Sequence, residues 1–255
     1  MTEQSEPIGL IGIGLLGSAL AERLIDGGKK VLGFDIDDRR VSGLSDFGGV
    51  AVKDAKEVVR RCPIICLSLP TSDTVSALLE QLAAEFQPGQ IVIDTTTGDP
   101  TQMISMGATL RHWGVEYVEA LVAGSSAQVR AGQVVLFVGG EDQTVTRVQS
   151  LLTAITATHF HLGPVGTASR FKLVHNLMLG LHRAVLAEGL TFASSLGIDP
   201  AEALRILPQT PAASAVMDTK GQRMITGDFE PQARLSQHLK DQPFEGVFRG
   251  TIIGV

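Results

Sequence analysis

Short apolar runs alternate with segments of helical apolar spacing through the first two-thirds of the chain. Ile8-Ile13, Lys30-Phe34, Pro63-Leu69, Gln90-Ile93, Val115-Ala120 and Val134-Val138 read as strands. Between them Leu16-Ile25, Ala55-Arg61, Thr74-Phe86, Thr101-Trp113 and Gln143-Ala154 carry apolar residues at three- and four-residue intervals, with Gly27-Gly28 and Pro88-Gly89 as stops. That alternation is the signature of strands joined by crossover helices into a doubly wound parallel sheet. His159 and His161 alternate on one further predicted strand.

After Gly163-Pro164 the strand signals end. A helical pattern runs from about Ala168 to Leu196, closes at Gly197, and is followed by Asp199-Pro200. Pro200-Leu207 and Ala212-Ile225 read as further helices. The expectation is α/β: a Rossmann-type doubly wound domain over 1–164 and an all-α domain over 165–255.

Charge narrows the partners. With 21 basic against 27 acidic residues and a net charge of −6, the chain offers no electrostatic footprint for nucleic acid, and a small molecule is the expected partner. Two cysteines, Cys62 and Cys66, make neither a disulfide framework nor a four-ligand metal site, so reduced buried thiols are expected. His159 and His161 have no visible third ligand, and no metal site is expected. Met1 to Pro7 lacks the basic start and apolar core of a secretory signal, and no apolar run reaches bilayer-spanning length. A cytoplasmic protein without a membrane partner is expected.

The candidate chemistry begins at Gly12-Ile13-Gly14-Leu15-Leu16-Gly17, a G-x-G-x-x-G between a predicted strand and a predicted helix. Gly12 permits the tight turn, Gly14 lets the backbone approach a pyrophosphate at the helix N-terminus, and Gly17 allows close helix-strand packing. Asp35 ends the second predicted strand, about where a ribose-binding carboxylate belongs, or it merely closes that strand. A carboxylate there favours NAD, while Arg39 and Arg40 keep NADP possible.

Leu67-Ser-Leu-Pro-Thr-Ser-Asp, Val92-Ile-Asp-Thr-Thr-Thr, Glu119-to-Gly140 and Gly166-to-Asn176 follow the fingerprint in order. Together these segments resemble the β-hydroxyacid dehydrogenase family from Ile8 to about Asp241. The resemblance implies that Leu69, Pro70, Thr71 and Thr96 line the cofactor cleft. Taken alone, Pro70 stops a strand and Thr96 caps a helix equally well. It further implies that Lys172 is the general acid/base and that Asn176, one helical turn on, positions the substrate. In isolation Lys172 reads as one more solvated helix lysine. A lysine suits proton transfer beside a nicotinamide because desolvation and the positive charge of its oxidised form both disfavour the charged amine. His175, where the family usually has a second asparagine, reads as a packing residue, and Glu188 as a helix contact.

The substrate loop departs from the family's usual Asp-Ala-Pro-Val-Ser-Gly-Gly. This chain has Glu119-Ala-Leu-Val-Ala123-Gly124-Ser125, so Ala123 lacks the hydroxyl that a substrate carboxylate usually meets, and Ser125 with the Gly124 amide is the expected partial replacement. Ser126, Gln128 and Arg130 add polar groups beyond it. The stretch from Met224 to Asp241 resembles a segment whose lysine approaches the cofactor, which nominates Lys240. The resemblance implies a homodimer or homotetramer, and beyond Asp241 the further helices usual in the family are missing, implying a shortened helical domain or one completed by a partner copy. The expected activity is hydride transfer between NAD(P) and a small β-hydroxy acid or its semialdehyde. An imine reductase or a catalytically silent nucleotide-binding protein is the alternative.

Overall fold

A computed structural model describes residues 6–228. The described residues divide into two compact units, with the boundary between Lys172 and Leu173.

The first unit is an eight-stranded sheet. In chain order, β1 (Ile8–Ile11), α1 (Leu15–Asp26), β2 (Val31–Phe34), α2 (Asp38–Asp46) and β3 (Val50–Ala51) form one half. Then come α3 (Ala55–Arg61), β4 (Ile64–Leu67), α4 (Ser72–Leu82), β5 (Ile91–Asp94), α5 (Pro100–His112) and β6 (Glu116–Ala123). The unit closes with α6 (Ser126–Arg130), β7 (Val135–Gly139), α7 (Asp142–Ile155), β8 (His159–His161) and the start of α8 (Thr167–Ser195). Spatial order is β3-β2-β1-β4-β5-β6-β7-β8, so chain order reverses between β1 and β4.

Alternation along each strand splits the core between the two sheet faces. Ile8, Leu10, Ile91 and Ile93 face α1 and α7, where Leu20, Leu24, Val148 and Leu152 are buried. Ile11, Ile65, Leu67 and Val92 face α3, α4 and α5, meeting Val58, Leu79, Met103 and Leu110. Burying each such side chain contributes about 1.5–3 kcal/mol, which is why these runs carry almost no polar residues. Cys62 and Cys66 are free, buried thiols, and burial pushes them up to about 11 and about 12.

The doubly wound sheet expected from the pattern is present, but it is not wholly parallel: one strand is reversed. β7 runs antiparallel to β6, Glu119 opposite Gly139 and Ala123 opposite Val135. A parallel return needs a crossover of roughly a dozen residues or more, and the link here holds only the short α6. α2, β3 and α6 have no counterpart among the predicted elements, because each buries too little to write a period: Leu44 alone is buried in α2, Val129 alone in α6, and β3 is exposed.

The second unit holds the rest of α8, then α9 (Pro200–Ile206), a 3₁₀ turn at Leu207–Gln209, a π-helical segment at Met217–Gly221, and α10 (Gln222–Thr226). Leu186, Leu190, Val216 and Met217 form its core, with Leu179, Leu204 and Met224 packed on it. The predicted helix Ala212-Ile225 is thus a π-helical segment running into a short α-helix. No described helix is long and apolar enough to cross a membrane.

Candidate active site

Apart from Lys172 on α8, the candidate residues of the first unit lie at or just beyond the carboxyl ends of β2, β1, β4, β5 and β6, which are consecutive neighbours in the sheet. Asp35, the Gly12–Gly17 loop, Leu69–Thr71, Thr96 and Ala123–Ser125 therefore follow one another along one sheet edge. The reversal between β1 and β4 puts a crevice beside the glycine loop, where open α/β sheets bind ligands.

Each fingerprint glycine has a separate steric reason. Gly12 has φ +95°, and a Cβ there would stand 2.3 Å from the Ser68 carbonyl oxygen. A Cβ on Gly17 would stand 1.9 Å from the Gly12 carbonyl oxygen, so α1 packs on the turn only without one. Gly14 differs: its nearest neighbour among the described residues would be Arg40 Nη1 at 3.9 Å, so none of them fills the space above it. Gly14 is also the N-cap of α1 and supplies no side-chain cap, leaving first-turn amides for an anion. Ile13 is buried, Leu16 half-buried and Leu15 68% exposed, so Leu15 faces outward from this loop. A dinucleotide pyrophosphate fits that open, donor-rich turn.

Asp35 is buried and clasps two loops: Oδ2 accepts from the Ile13 amide at 2.7 Å and Oδ1 from the Asp37 amide at 2.9 Å. Arg40 Nη1 stands 3.5 Å from Oδ2. Asp37 caps α2 and holds the Arg39 guanidinium through two hydrogen bonds of 3.1 Å, with Arg40 Nε 3.7 Å away. Both arginines beside the expected ribose site are thus already matched by aspartates. Sequence reasoning missed Asp37; its cue was an aspartate just ahead of an Asp-Arg-Arg run, the pattern of a helix N-cap.

Thr96 is buried and its hydroxyl accepts from the Leu69 amide at 3.0 Å, joining the loops after β4 and β5. Thr71 caps α4 through the Thr74 amide, and Pro70, between Leu69 and Thr71, is exposed. Below them Asp94 is fully buried, accepting from the Thr96 amide and the Tyr117 hydroxyl, each at 2.8 Å. Burial pushes the Asp94 carboxyl up to about 6, against the pull of those hydrogen bonds.

At the end of β6, Ala123 is half-buried, and Gly124 and Ser125 are exposed. Ser125 is already engaged: its amide donates to Gln128 Oε1 at 2.8 Å and its hydroxyl accepts from the Gln128 amide at 3.3 Å, a reciprocal cap that starts α6. Arg130 is tied to Glu22 on α1. Lys172 is buried in the second turn of α8, and its amine donates to the Val122 carbonyl at 2.7 Å, beside the β6 end of the loop row. It is not a solvated surface lysine.

Asn176, one turn further along α8, falls in the second unit; it is buried, with its side-chain oxygen 3.1 Å from His175 Nδ1. Glu188 is exposed. Lys240 lies outside the described residues. His161 Nε2 lies 2.8 Å from the Gly140 carbonyl oxygen, and His159 pairs with Gln149. Among the described residues no His, Cys, Asp or Glu group is placed to hold a metal.

Residues 7–163 match the family model of the NAD binding domain of 6-phosphogluconate dehydrogenase, and residues 166–243 that of the NAD-binding region of NADP-dependent 3-hydroxyisobutyrate dehydrogenase. The chain is 28% identical to 2-(hydroxymethyl)glutarate dehydrogenase of Eubacterium barkeri, over 94% of this chain and 81% of that protein. It is 26% identical to L-threonate dehydrogenase of Cupriavidus necator, over 93% and 81% respectively. Its fold matches Mycobacterium tuberculosis 3-hydroxyisobutyrate dehydrogenase solved with L-serine at a TM-score of 0.84, covering 92% of this chain and 84% of that one, at 23% identity.

Proposed function

Because this chain belongs to the β-hydroxyacid dehydrogenase family and is therefore an NAD(P)-dependent oxidoreductase, we propose that it transfers a hydride between NAD(P) and a small β-hydroxy acid or its semialdehyde, with Lys172 as general acid/base. The observation that carries this reading is the Lys172 amine, buried and anchored to the Val122 carbonyl at the sheet edge that also bears the glycine loop. The two relatives named for 2-(hydroxymethyl)glutarate and L-threonate support a hydroxy acid as the substrate class.

A bound nicotinamide supplies or accepts the hydride, and the protein contributes geometry and proton transfer. Lys172 takes the hydroxyl proton during oxidation and returns it during reduction. The Val122 carbonyl engages one amine proton, which holds the nitrogen at the end of β6, where it meets the substrate hydroxyl. Asn176, four residues on along one helix, orients the same hydroxyl. The anionic end of the substrate meets Gly124 and Ser125. Ser125 reaches it by exchanging its Gln128 partner, so Gln128 also bears on substrate affinity. Gly12 to Gly17, Asp35, Leu69 to Thr71 and Thr96 seat the dinucleotide, and Lys240 is a further cofactor contact. NAD is the preferred form, because Asp35 and Asp37 neutralise the two arginines that a 2′-phosphate would need. The lysine weighs for hydroxy acids over imines.

The test is reduction of NAD and NADP over a panel of small β-hydroxy acids, comparing the intact chain with Lys172→Ala. General acid/base loss lowers kcat about 10²- to 10⁴-fold. NADH binding, followed by fluorescence, stays within twofold. A folded intact chain that binds the cofactor but oxidises no hydroxy acid overturns the dehydrogenase reading in favour of a silent nucleotide-binding protein.

A further inference from the structure

Glu119 is the first residue of the substrate-loop motif, and nothing in the proposed chemistry uses it. It lies in β6, fully buried, opposite Gly139 of β7. Its Oε2 accepts from the Gly166 amide at 2.7 Å, and the amides of Ala168 and Ser169 and the Ser169 hydroxyl bear on the same carboxyl. These groups make up the turn that enters α8 and its first residues, where backbone N–H groups have no helical acceptor. Oε1 is buried with no hydrogen-bond partner among the described residues. Gly139 makes the room: a Cβ there would stand 2.4 Å from Oε2 and 3.3 Å from Ala168 Cβ. Desolvation pushes the Glu119 carboxyl up while the donors of α8 hold it down, and Asp94 on β5 is the charged neighbour.

Three residues along the same strand, the Val122 carbonyl takes the Lys172 amine. β6 therefore holds the beginning of α8 at two points about 10 Å apart along the strand. The Ala168 and Ser169 amides lie one turn before Lys172, about 5–6 Å along the helix axis. A helix held at one such point can slide or rotate about it, whereas a second point fixes both motions. We propose that Glu119 is a positioning residue, its carboxyl fastening the start of α8 to β6 so that the Lys172 amine stands at the Val122 carbonyl. This rests on the assignment of proton transfer to Lys172.

The experiment compares the intact chain with Glu119→Ala, Glu119→Gln and Gly139→Ala. Glu119→Gln keeps an acceptor at the same reach; Gly139→Ala displaces the carboxyl without removing it. The first readout needs no turnover: the rate of reductive methylation of Lys172 by formaldehyde and cyanoborohydride, followed by peptide mass spectrometry. The buried Cys62 and Cys66 thiols, probed with a disulfide reagent, report loosening of the whole unit. The expected result is at least fivefold faster labelling of Lys172 in Glu119→Ala and Gly139→Ala, with both thiols still protected and Glu119→Gln near the parent. With a hydroxy acid that turns over, kcat in those two variants falls about tenfold while KM for the dinucleotide stays within twofold.

Unchanged Lys172 labelling overturns the proposal, as does labelling that rises only together with thiol exposure. If Glu119→Ala fails to fold, Gly139→Ala decides by the same criteria. Labelling that responds in a chain with no hydroxy-acid turnover upholds the clasp and rejects the dehydrogenase reading. Turnover with neither labelling nor kcat altered does the reverse.

Discussion

At the scale of single residues, the glycine loop separates protein packing from ligand approach. Gly17→Ala places a methyl 1.9 Å from the Gly12 carbonyl oxygen, so α1 must shift. Overpacking of this kind costs roughly 1–3 kcal/mol. Gly14→Ala meets nothing closer than 3.9 Å among the described residues, so no packing of theirs is disturbed. The expected outcome is a lowered melting temperature for Gly17→Ala and an unchanged one for Gly14→Ala, with NADH affinity down at least tenfold in both. Retained NADH affinity in Gly14→Ala would remove the pyrophosphate from that turn. The spacing of three glycines and the fall of Asp35 after a strand were legible in the chain. That one Asp35 oxygen is spent on the Ile13 amide was not, because that partner arrives only when β1 and β2 lie side by side.

At the scale of elements, β5, β6 and α5 meet at a buried polar contact. Asp94 ends β5, Tyr117 of β6 donates to it, and Met103 Sδ of α5 lies 3.6 Å from the same hydroxyl. With its folded pKa raised from 3.8 to about 6, Asp94 binds its proton more tightly in the native state than in the unfolded chain. Stability contributed by this group is therefore full below the unfolded value and is lost as pH rises through about 6. At 1.36 kcal/mol per unit the loss is roughly 2–3 kcal/mol, and Glu119, also raised, acts in the same direction. Urea unfolding from pH 4 to 7 should show that decline, and Asp94→Asn should flatten most of it. An equal decline in Asp94→Asn would place the titration elsewhere. The strands that meet here were visible as short, mostly apolar runs, the second of them broken by Glu116 and Glu119. The reversal of β7 was not, since direction depends on whether the intervening chain can cross the sheet, and α6 is too short.

At the scale of the whole molecule, Val174, Met178, Leu181, Val185 and Phe192 are exposed along α8 at helical spacing, Val185 by 70%. Contiguous apolar surface of this kind on a helix usually marks an interaction site. The homodimer or homotetramer expected from the family resemblance would bury it, and sedimentation at micromolar concentration should then give a mass at least twice the 27.0 kDa chain. Val185→Asp, at an exposed position, should lower that mass toward one chain without loss of helix signal. A single-chain mass for the intact protein would sink the oligomer.

The chain by itself determined the elements that bury whole faces, the glycine turn and the order of family segments. Periodicity and local turn chemistry are written in neighbouring residues, so a reader of sequence can recover them. Tertiary structure alone decided that Lys172 is buried on the Val122 carbonyl, that Ser125 is already held by Gln128, and that Glu119 reaches the start of α8. Two of these contacts join residues about fifty positions apart in the chain. The Ser125 cap, though local, was hidden because α6 buries only Val129 and leaves no helical period to announce it.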